Sequence, residues 1–292
     1  MRRTRGPVQS DTLSEVLRAA RFHSTVLCRS ELMAPWGFSV IGRDFAAFHI
    51  VLRGKCCLEV DSVDGLTWLS ERDLVILPHG HAHVVRDSPT SPTTRLEDLI
   101  AESKTDHRGL LRAGGRGPKT MLVCGGFRFE DRTSNPLLAA LPPMIHLRGR
   151  RPGVEAWIRT TLDFVARESD AYRPGADSVV TRLADILFIE AIREYFASPE
   201  AETAGLAAAL RDPRIGAAVA SILRHPETDW EVKTLARQAG MSRTAFALQF
   251  AKLVGRSPLG YVTSCRMSQA AALLRTSTAT IPQIAERVGY HT

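Results

Sequence analysis

The residues between Trp230 and Phe250 have the types and the spacing to recognise nucleic acid. They predict two short helices around Gly240, a residue that often ends a helix in the left-handed conformation. Ser242 follows as a good N-cap for the second helix. The apolar positions at helical spacing are Leu235, Ala236, Ala239, Phe246, Phe250 and Leu253. Small residues at the crossing, a glycine turn and a polar outer face are what a helix-turn-helix needs to place its second helix in the major groove.

An ordinary helical hairpin in an all-α core has the same short pattern, so this window alone leaves both interpretations open. The charge distribution favours nucleic acid. The 292 residues carry a formal net charge of +7. From Leu206 onward, eleven Lys and Arg residues stand against five Asp and Glu residues. Most of the positive charge therefore coincides with the predicted helix-turn-helix, and we expect an anionic partner.

Length and cysteine content restrict the class of protein. A chain of 292 residues is expected to form two domains rather than one. The five cysteines are irregularly spaced and form no CxxC pair, which argues against a zinc finger or a disulfide framework. The basic N-terminus lacks the apolar run of a signal peptide, and no stretch is long enough to span a membrane. We therefore expect a cytoplasmic protein with no membrane partner.

The first half of the chain has the texture of β-structure. A short helix is predicted over residues 11–20. From Phe22 to Val85, short runs rich in Val, Ile, Leu and Phe alternate with Gly, Asp and Pro, which predicts the strands of a sandwich or barrel. Pro, Ser, Thr, Gly and Arg dominate from Asp87 to Lys119, which predicts a long mobile loop.

Two motifs in this half and one long segment after it resemble those of a known protein family. Phe48 to Gly54 (FHIVLRG) is similar to the end of a cupin's first motif, and Pro78 to His83 (PHGHAH) fits the second, P-x-G-x-x-H. The segment from Asp212 to the C-terminus resembles the family's DNA-binding domain, including Gly255 to Tyr261 (GRSPLGY). Together these segments resemble the AraC/XylS-type transcriptional regulators. The resemblance implies an α+β two-domain protein, with an N-terminal cupin-like β-barrel followed by an all-α domain with a helix-turn-helix.

The cupin motifs depart from those of metal-binding cupins. Such cupins have a Glu where this chain has Ala47, and their histidines would stand near Ile41 and Arg43. His49 and His83 remain, with Cys124 as a third candidate, and we expect them to line a small-molecule pocket. Imidazole and thiolate are also ligands for zinc, but buried histidines with backbone partners fit the pattern better. We assign no metal, no cofactor and no catalytic residue, and we expect no enzymatic activity.

The C-terminal segment contains an internal repeat. Leu235 to Met241 recurs as Ile284 to Tyr290, 49 residues later, with the same order of apolar, polar and glycine positions. The resemblance implies two helix-turn-helix units on a central helix. The second unit has its first helix and turn before Thr292, but its recognition helix would lie beyond that residue. We expect one complete reading unit in this sequence.

The first recognition helix is poor in basic residues. Family members often have Arg in its middle, where this chain has Ala247, Leu248 and Gln249. Arg243 and Thr244 are the best candidates to read bases. Ser242 and Lys252 are better placed to bind phosphates. The predicted DNA-binding residues are Ser242, Arg243, Thr244, Ala247, Gln249 and Lys252.

The predicted organisation has three parts. Residues 1–150 form the cupin-like effector domain, 151–205 the connecting helices and linker, and 206–292 the DNA-binding domain. Two helices are predicted, from Val154 to Arg167 and from Asp177 to Phe196, followed by a linker from Ser198 to Gly205. The second helix is apolar on more than one stripe, so it needs cover from its own chain or from a second subunit. The resemblance implies a homodimer through this region.

The sequence thus predicts a bacterial, effector-responsive regulator that binds promoter DNA and responds to a small molecule through its cupin domain. Activation and repression are both compatible with it. One alternative is a cupin that binds a small molecule or a metal and whose shortened C-terminal domain no longer binds DNA well. Another is a dimerisation partner that titrates a full-length regulator.

Overall fold

The computed structural model describes residues 11–102, 110–130, 132, 135–149, 156–171, 173–201 and 205–290. The strands are β1 (Phe22–Met33), β2 (Gly37–Val40), β3 (Ala46–Arg53), β4 (Lys55–Val60), β5 (Val63–Ser70), β6 (Leu74–Leu77), β7 (His83–Arg86), β8 (Thr94–Arg95), β9 (Leu110–Gly114), β10 (Lys119–Phe129) and β11 (Ile145–Leu147). The helices are α1 (Thr12–Ala20), α2 (Leu96–Glu102), α3 (Pro136–Ala139), α4 (Ala156–Ala171), α5 (Ala176–Ala197), α6 (Leu206–Arg211), α7 (Pro213–Arg224), α8 (Val232–Gln238), α9 (Arg243–Val254), α10 (Pro258–Thr276) and α11 (Ile281–Arg287).

The chain divides into two compact units. The first, called the helical unit, contains the residues up to Arg21, Phe129–Ala140 and the chain from Phe196 onward. The second, called the sheet unit, contains Phe22–Arg128 and Leu141–Tyr195. This composition confirms the predicted α+β fold with two domains. The boundaries near residues 150 and 205 remain a prediction.

The sheet unit is built from two sheets. One has the strand order β11-β6-β3-β10-β1-β9 and the other the order β5-β4-β7-β2-β8. Apolar side chains of both sheets form one buried core, which includes Leu32, Val51, Leu58 and Val85. The chain passes from β3 in the first sheet to β4 in the second through Gly54, whose φ of +83° favours glycine. The described strands therefore form two open sheets packed on a common core, which is the sandwich-like form of the predicted cupin-like fold.

The segment from Asp87 to Lys119 is more ordered than its composition predicts. It contains β8, α2 and β9, while residues 103–109 lie outside the described residues. β9 pairs in parallel with β1, and Leu96 and Leu111 are buried in the sheet core. The prediction of a long loop is wrong because two leucines and a strand pairing hold this polar segment, and composition does not reveal either.

The connecting helices α4 and α5 confirm the two predicted helices, although the predicted start at Val154 lies outside the described residues. On α5, the ring of Phe188 lies 4.5 Å from that of Phe127 and 4.6 Å from that of Phe22, measured between centroids. Much of the wide apolar surface of α5 is thus covered within the sheet unit. The linker predicted from Ser198 to Gly205 falls partly outside the described residues, at 202–204.

The helical unit begins with α1, as predicted, and Asp11 caps it. Asp212 caps α7 and is followed by Pro213 at the first helical position, where proline is well accommodated. Arg266 on α10 donates to the backbone oxygens of Pro226 and Thr228, at 2.8 and 3.0 Å, and its guanidinium lies 5.2 Å from the ring centre of Tyr290. None of the described helices, including the 22-residue α5, is long and apolar enough to cross a membrane.

Candidate nucleic-acid interface and cupin interior

The helix-turn-helix has the geometry that its sequence predicts. α8 ends at Gln238, and the backbone N–H of Met241 donates to the carbonyl of Ala236 at 2.9 Å, which closes the turn. Gly240 lies between them with a φ of +63°. Ser242 then caps α9, its hydroxyl accepting from the N–H of Ala245 at 3.3 Å. The direction of α9 is therefore set by backbone bonds on both sides of a left-handed glycine.

The inner faces of α8 and α9 are fully packed. Leu235 on α8 and both Phe246 and Phe250 on α9 have no exposed surface. The rings of Phe246 and Phe250 lie 5.5 Å apart, and Phe250 meets Tyr261 of α10 at 5.8 Å. Because an aromatic core restricts helix rotation, α9 presents one fixed face outward.

The predicted DNA-binding residues differ in their exposure. Ser242, Arg243, Thr244 and Lys252 are exposed, whereas Ala247 and Gln249 are half-buried. The Gln249 side chain hydrogen-bonds the carboxylate of Asp212, the N-cap of α7. Burial raises the pKa of that carboxyl, but the N–H groups of α7, Arg214 and Gln249 outweigh burial and lower it. Gln249 therefore connects α9 to α7 and is less available to DNA than the other five.

Sequence reasoning missed one residue of the outer face. Leu248 is 69% exposed, in the middle of α9. It lies two residues after the buried Phe246, which is about 200° around the helix. Helical periodicity could have located it, but a search for polar and basic side chains passes over a leucine.

The sequence repeat is also a structural repeat. The N–H of Tyr290 donates to the carbonyl of Ala285 at 2.9 Å, in the same way that Met241 donates to Ala236. Gly289 has a φ of +87°, and Ile284 and Val288 are buried. Residues 291 and 292 lie outside the described residues. α11 and its turn thus reproduce α8 and its turn at the C-terminal end of α10.

The structure brings the three predicted cupin residues together. His49 on β3, His83 on β7 and Cys124 on β10 are each 2% exposed. The Nε2 atoms of His49 and His83 are 2.8 Å apart, and Nδ1 of His49 is 3.1 Å from Sγ of Cys124. Cys28 on β1, which sequence reasoning missed, hydrogen-bonds Cys124. No spacing pattern in the sequence connects Cys28 to the other three.

The hydrogen bonds determine the tautomers of both imidazoles. Nδ1 of His83 lies 2.8 Å from the carbonyl oxygen of His81 and must donate to it, so Nε2 of His83 is an acceptor. His49 therefore donates through Nε2, and its Nδ1 is an acceptor that faces the thiol of Cys124; the single proton of that thiol can be donated to His49 or to Cys28. Burial lowers the pKa of both histidines, and for His49 the neighbouring His83 adds to the effect. The hydrogen bond with Cys28, together with burial, raises the pKa of Cys124, so all three groups are neutral.

This network leaves little capacity for a metal ion. His49 faces His83 with one edge of its ring and Cys124 with the opposite edge, so one ion could not bind all three without rotation of the ring. Across the described ranges, no three His, Cys, Asp or Glu side chains are arranged to hold a metal. The chemistry of this site is that of a buried, mutually satisfied hydrogen-bond chain.

A larger space lies elsewhere, within the helical unit. A cavity of about 430 Å³ is lined by parts of α1, α3, α7 and α10. Its charged lining residues are Glu15, Arg18, Arg21, Glu130, Arg224 and Arg256. Glu15 pairs with Arg18 at 2.5 Å and with Arg224 at 3.7 Å, and Arg21 pairs with Glu130 at 3.4 Å. The cavity is of a size that small ligands occupy.

Comparison with known families assigns both parts of the chain. Residues 11–197 match the cupin family, and residues 235–292 match a helix-turn-helix domain family. The HTH-type transcriptional regulator AlkR of Acinetobacter baylyi is 30% identical over 96% of this chain and 92% of its own length. A putative AraC-like transcription regulator of Streptomyces lividans is 31% identical over 96% of this chain and 90% of its own length.

A third relative and one solved structure extend this comparison. The RCS-specific HTH-type transcriptional activator RclR of Escherichia coli is 30% identical over 83% of this chain and 75% of its own length. The crystal structure of ToxT from Vibrio cholerae covers 93% of this chain and 89% of its own, with 11% identity and a TM-score of 0.31. The sequence relatives, with their long alignments, determine the family.

Proposed function

We propose that this chain, which belongs to the AraC-like family of transcriptional regulators, reads promoter DNA with the outer face of α9. The chain is a DNA-binding regulator of transcription, as its relatives and its helix-turn-helix indicate. The observation that carries the proposal is that α9 is packed on one face and exposed on the other. Its inner face is held by Phe246 and Phe250, while Arg243, Thr244 and Lys252 stand exposed.

The exposed residues take different roles in this proposal. Arg243 and Thr244, in the first turn of α9, read base edges in the major groove, where a guanidinium can donate twice to guanine. Ser242 leaves the first amides of α9 free for a phosphate, and Lys252 adds a cation near the end of the helix. Ala247 contributes contact at the edge of the groove. Gln249 acts by holding α9 against α7 through Asp212.

The response to an effector is the second part of the proposal. His49, His83 and Cys124 bind one another, so a molecule that entered the cupin interior would have to break this chain of hydrogen bonds. The cavity of the helical unit is lined by parts of α1 and α10 and offers room without that cost. A ligand regulates DNA binding only if it binds one arrangement of these elements better than another.

The third part of the proposal concerns assembly and cellular location. We propose a homodimer through the connecting helices, where Phe164 and Ile186 are 45% and 44% exposed. The division of the chain into 1–150, 151–205 and 206–292 is retained as a proposal. We also propose a cytoplasmic location, because a regulator of bacterial transcription acts where the DNA lies.

A selection experiment tests the reading of DNA. The purified chain is incubated with a pool of random DNA duplexes, and the bound duplexes are sequenced and measured by gel shift at two salt concentrations. We expect an enriched motif whose binding weakens at higher salt. Arg116→Ala, an exposed arginine of the sheet unit, is the matched control for Arg243→Ala. A pool that emerges with no preferred sequence, and with equal affinity for both variants, would contradict the proposal.

A further inference from the structure

Leu248 occupies an unusual place for a large apolar side chain. It is 69% exposed, while Phe246 and Phe250 on either side of it in sequence have no exposed surface. Exposed leucines occur singly on many proteins. This one, however, stands at the centre of the face that points away from the core, on the helix assigned to the major groove.

The surroundings of Leu248 make it the most prominent apolar side chain of that face. Its helical neighbours three and four residues away are Ala245, Thr244, Ala251 and Lys252, and all four are exposed. Two of them are alanines and one is a threonine, and the side chains of these three do not extend beyond Cβ or Cγ. The centre of the face is therefore apolar. Lys252 supplies a charge one turn towards the C-terminus, whereas Arg243, in the first turn, lies about 140° around the helix from Leu248.

A leucine at this place can distinguish bases by shape and solvation. In the major groove, thymine presents a C5-methyl group, whereas the other bases present hydrogen-bonding atoms or a bare ring edge. A leucine side chain against that methyl group removes apolar surface of both partners from water. The same leucine against the oxygen or the amino group of another base covers a polar group without a partner, which is unfavourable.

We propose that Leu248 is a specificity-determining residue that packs against the C5-methyl group of a thymine in the bound DNA. The proposal rests on the proposed reading of DNA by α9 and identifies what the middle of that helix recognises. Arg243 and Thr244 then read bases at one side of this thymine, and Lys252 holds the backbone at the other.

Replacement of thymidine by deoxyuridine tests this directly, because the two nucleosides differ only in the C5-methyl group of the base. In the motif selected by the full chain, each thymine is replaced singly and the affinity is measured. We expect one position, next to the guanine or other base that Arg243→Ala affects, at which the replacement weakens binding about four-fold, the effect of one buried methyl group.

The leucine variant assigns that loss to its side chain. Leu248→Ala should bind the thymine and the deoxyuridine duplexes equally at that position, while other positions keep their differences. Leu274→Ala is the matched control, since Leu274 is 58% exposed on α10, and it should keep the four-fold difference. Because both leucines are exposed, neither change is expected to unfold the protein.

The outcomes separate this proposal from the one on which it rests. If no sequence is enriched and no variant alters binding, the reading of DNA by α9 fails, and Leu248 loses its role with it. If a motif is bound but no thymine is sensitive to the loss of its methyl group, the reading by α9 stands and the proposal for Leu248 is overturned. It is also overturned if Leu248→Ala retains the four-fold difference, and an apolar contact with another protein would then be the role left for this side chain.

Discussion

The cupin interior and the outer face of α9 use polar side chains in opposite ways. His49, His83 and Cys124 are buried, and each polar atom bonds a neighbour within the sheet unit. Arg243 and Lys252 on α9 are exposed, and among the described residues neither forms an ion pair. Buried groups that satisfy one another contribute to stability, whereas exposed groups remain available to a partner. The residue types alone, histidine and cysteine in the cupin interior and arginine and lysine on α9, would not show which groups bond one another and which remain available to a partner.

The largest effect that this comparison predicts is on stability. His49→Ala should lower the free energy of unfolding by about 3 kcal/mol, because it removes one hydrogen-bond partner from each of the buried side chains of Cys124 and His83 and creates a small cavity. Chemical denaturation measures the change. Leu27→Ala on β1 is the control, since Leu27 is 51% exposed and its loss should cost no more than about 0.5 kcal/mol. Equal stability of both variants would mean that the buried network does not contribute as described.

Arg243→Ala should show the reverse pattern. We expect a loss of about 2 kcal/mol in binding to the selected DNA, with a relaxed preference at one base pair. The free energy of unfolding should change by no more than about 0.5 kcal/mol, because the side chain is exposed. Gel shifts with single base-pair variants measure the preference. A variant that loses stability as well as affinity would place Arg243 in the packing of α9.

The pH dependence of stability distinguishes the two regions without mutation. His49 and His83 have lowered pKa values in the folded protein, so they stay neutral where histidines of the unfolded chain are protonated. Below the ordinary pKa of 6.5 the unfolded state binds more protons than the folded state, so the free energy of unfolding decreases as the pH is lowered. Below that pKa, the free energy of unfolding should change by about 1.4 kcal/mol per pH unit for each histidine. Above it, these two histidines should contribute no pH dependence. Denaturation at several pH values, compared with His83→Gln, measures it, and an unchanged slope in the variant would assign the effect to other groups.

The smallest predicted effect concerns Lys252. Lys252→Ala should weaken binding to every DNA sequence to a similar extent and reduce the slope of log affinity against log salt by about one. Titrations at several salt concentrations measure the slope. A change in sequence preference without a change in slope would move Lys252 from the phosphates to the bases.

Much of the fold was predictable because its pattern is local. The spacing of Phe246 and Phe250, the glycine at 240 and the serine at 242 are enough to predict α8, the turn and α9. The two cupin motifs identify β3 and the segment around His83 in the same way. Patterns of this kind need only the period of a helix or strand and the chemistry of a cap.

The features that were missed depend on partners far away in the sequence. Gln249 appeared free for DNA because its partner, Asp212, lies on another helix. Cys28 joins the cupin network through Cys124, a residue that no spacing rule connects to it. The segment from Asp87 to Lys119 was predicted as a loop, since nothing local shows that Leu111 reaches the sheet core. Only packing in three dimensions brings these groups together.

Arg266 bears on when two segments of the helical unit become ordered. Its guanidinium holds the segment at Pro226 and Thr228 before the first helix-turn-helix, and it also lies against the ring of Tyr290 after the repeated turn. The restriction of both segments therefore takes place when the protein folds and need not occur when DNA arrives. Association with DNA then loses less conformational entropy, and the helical unit should meet a duplex as a stiff template whose shape the DNA has to match.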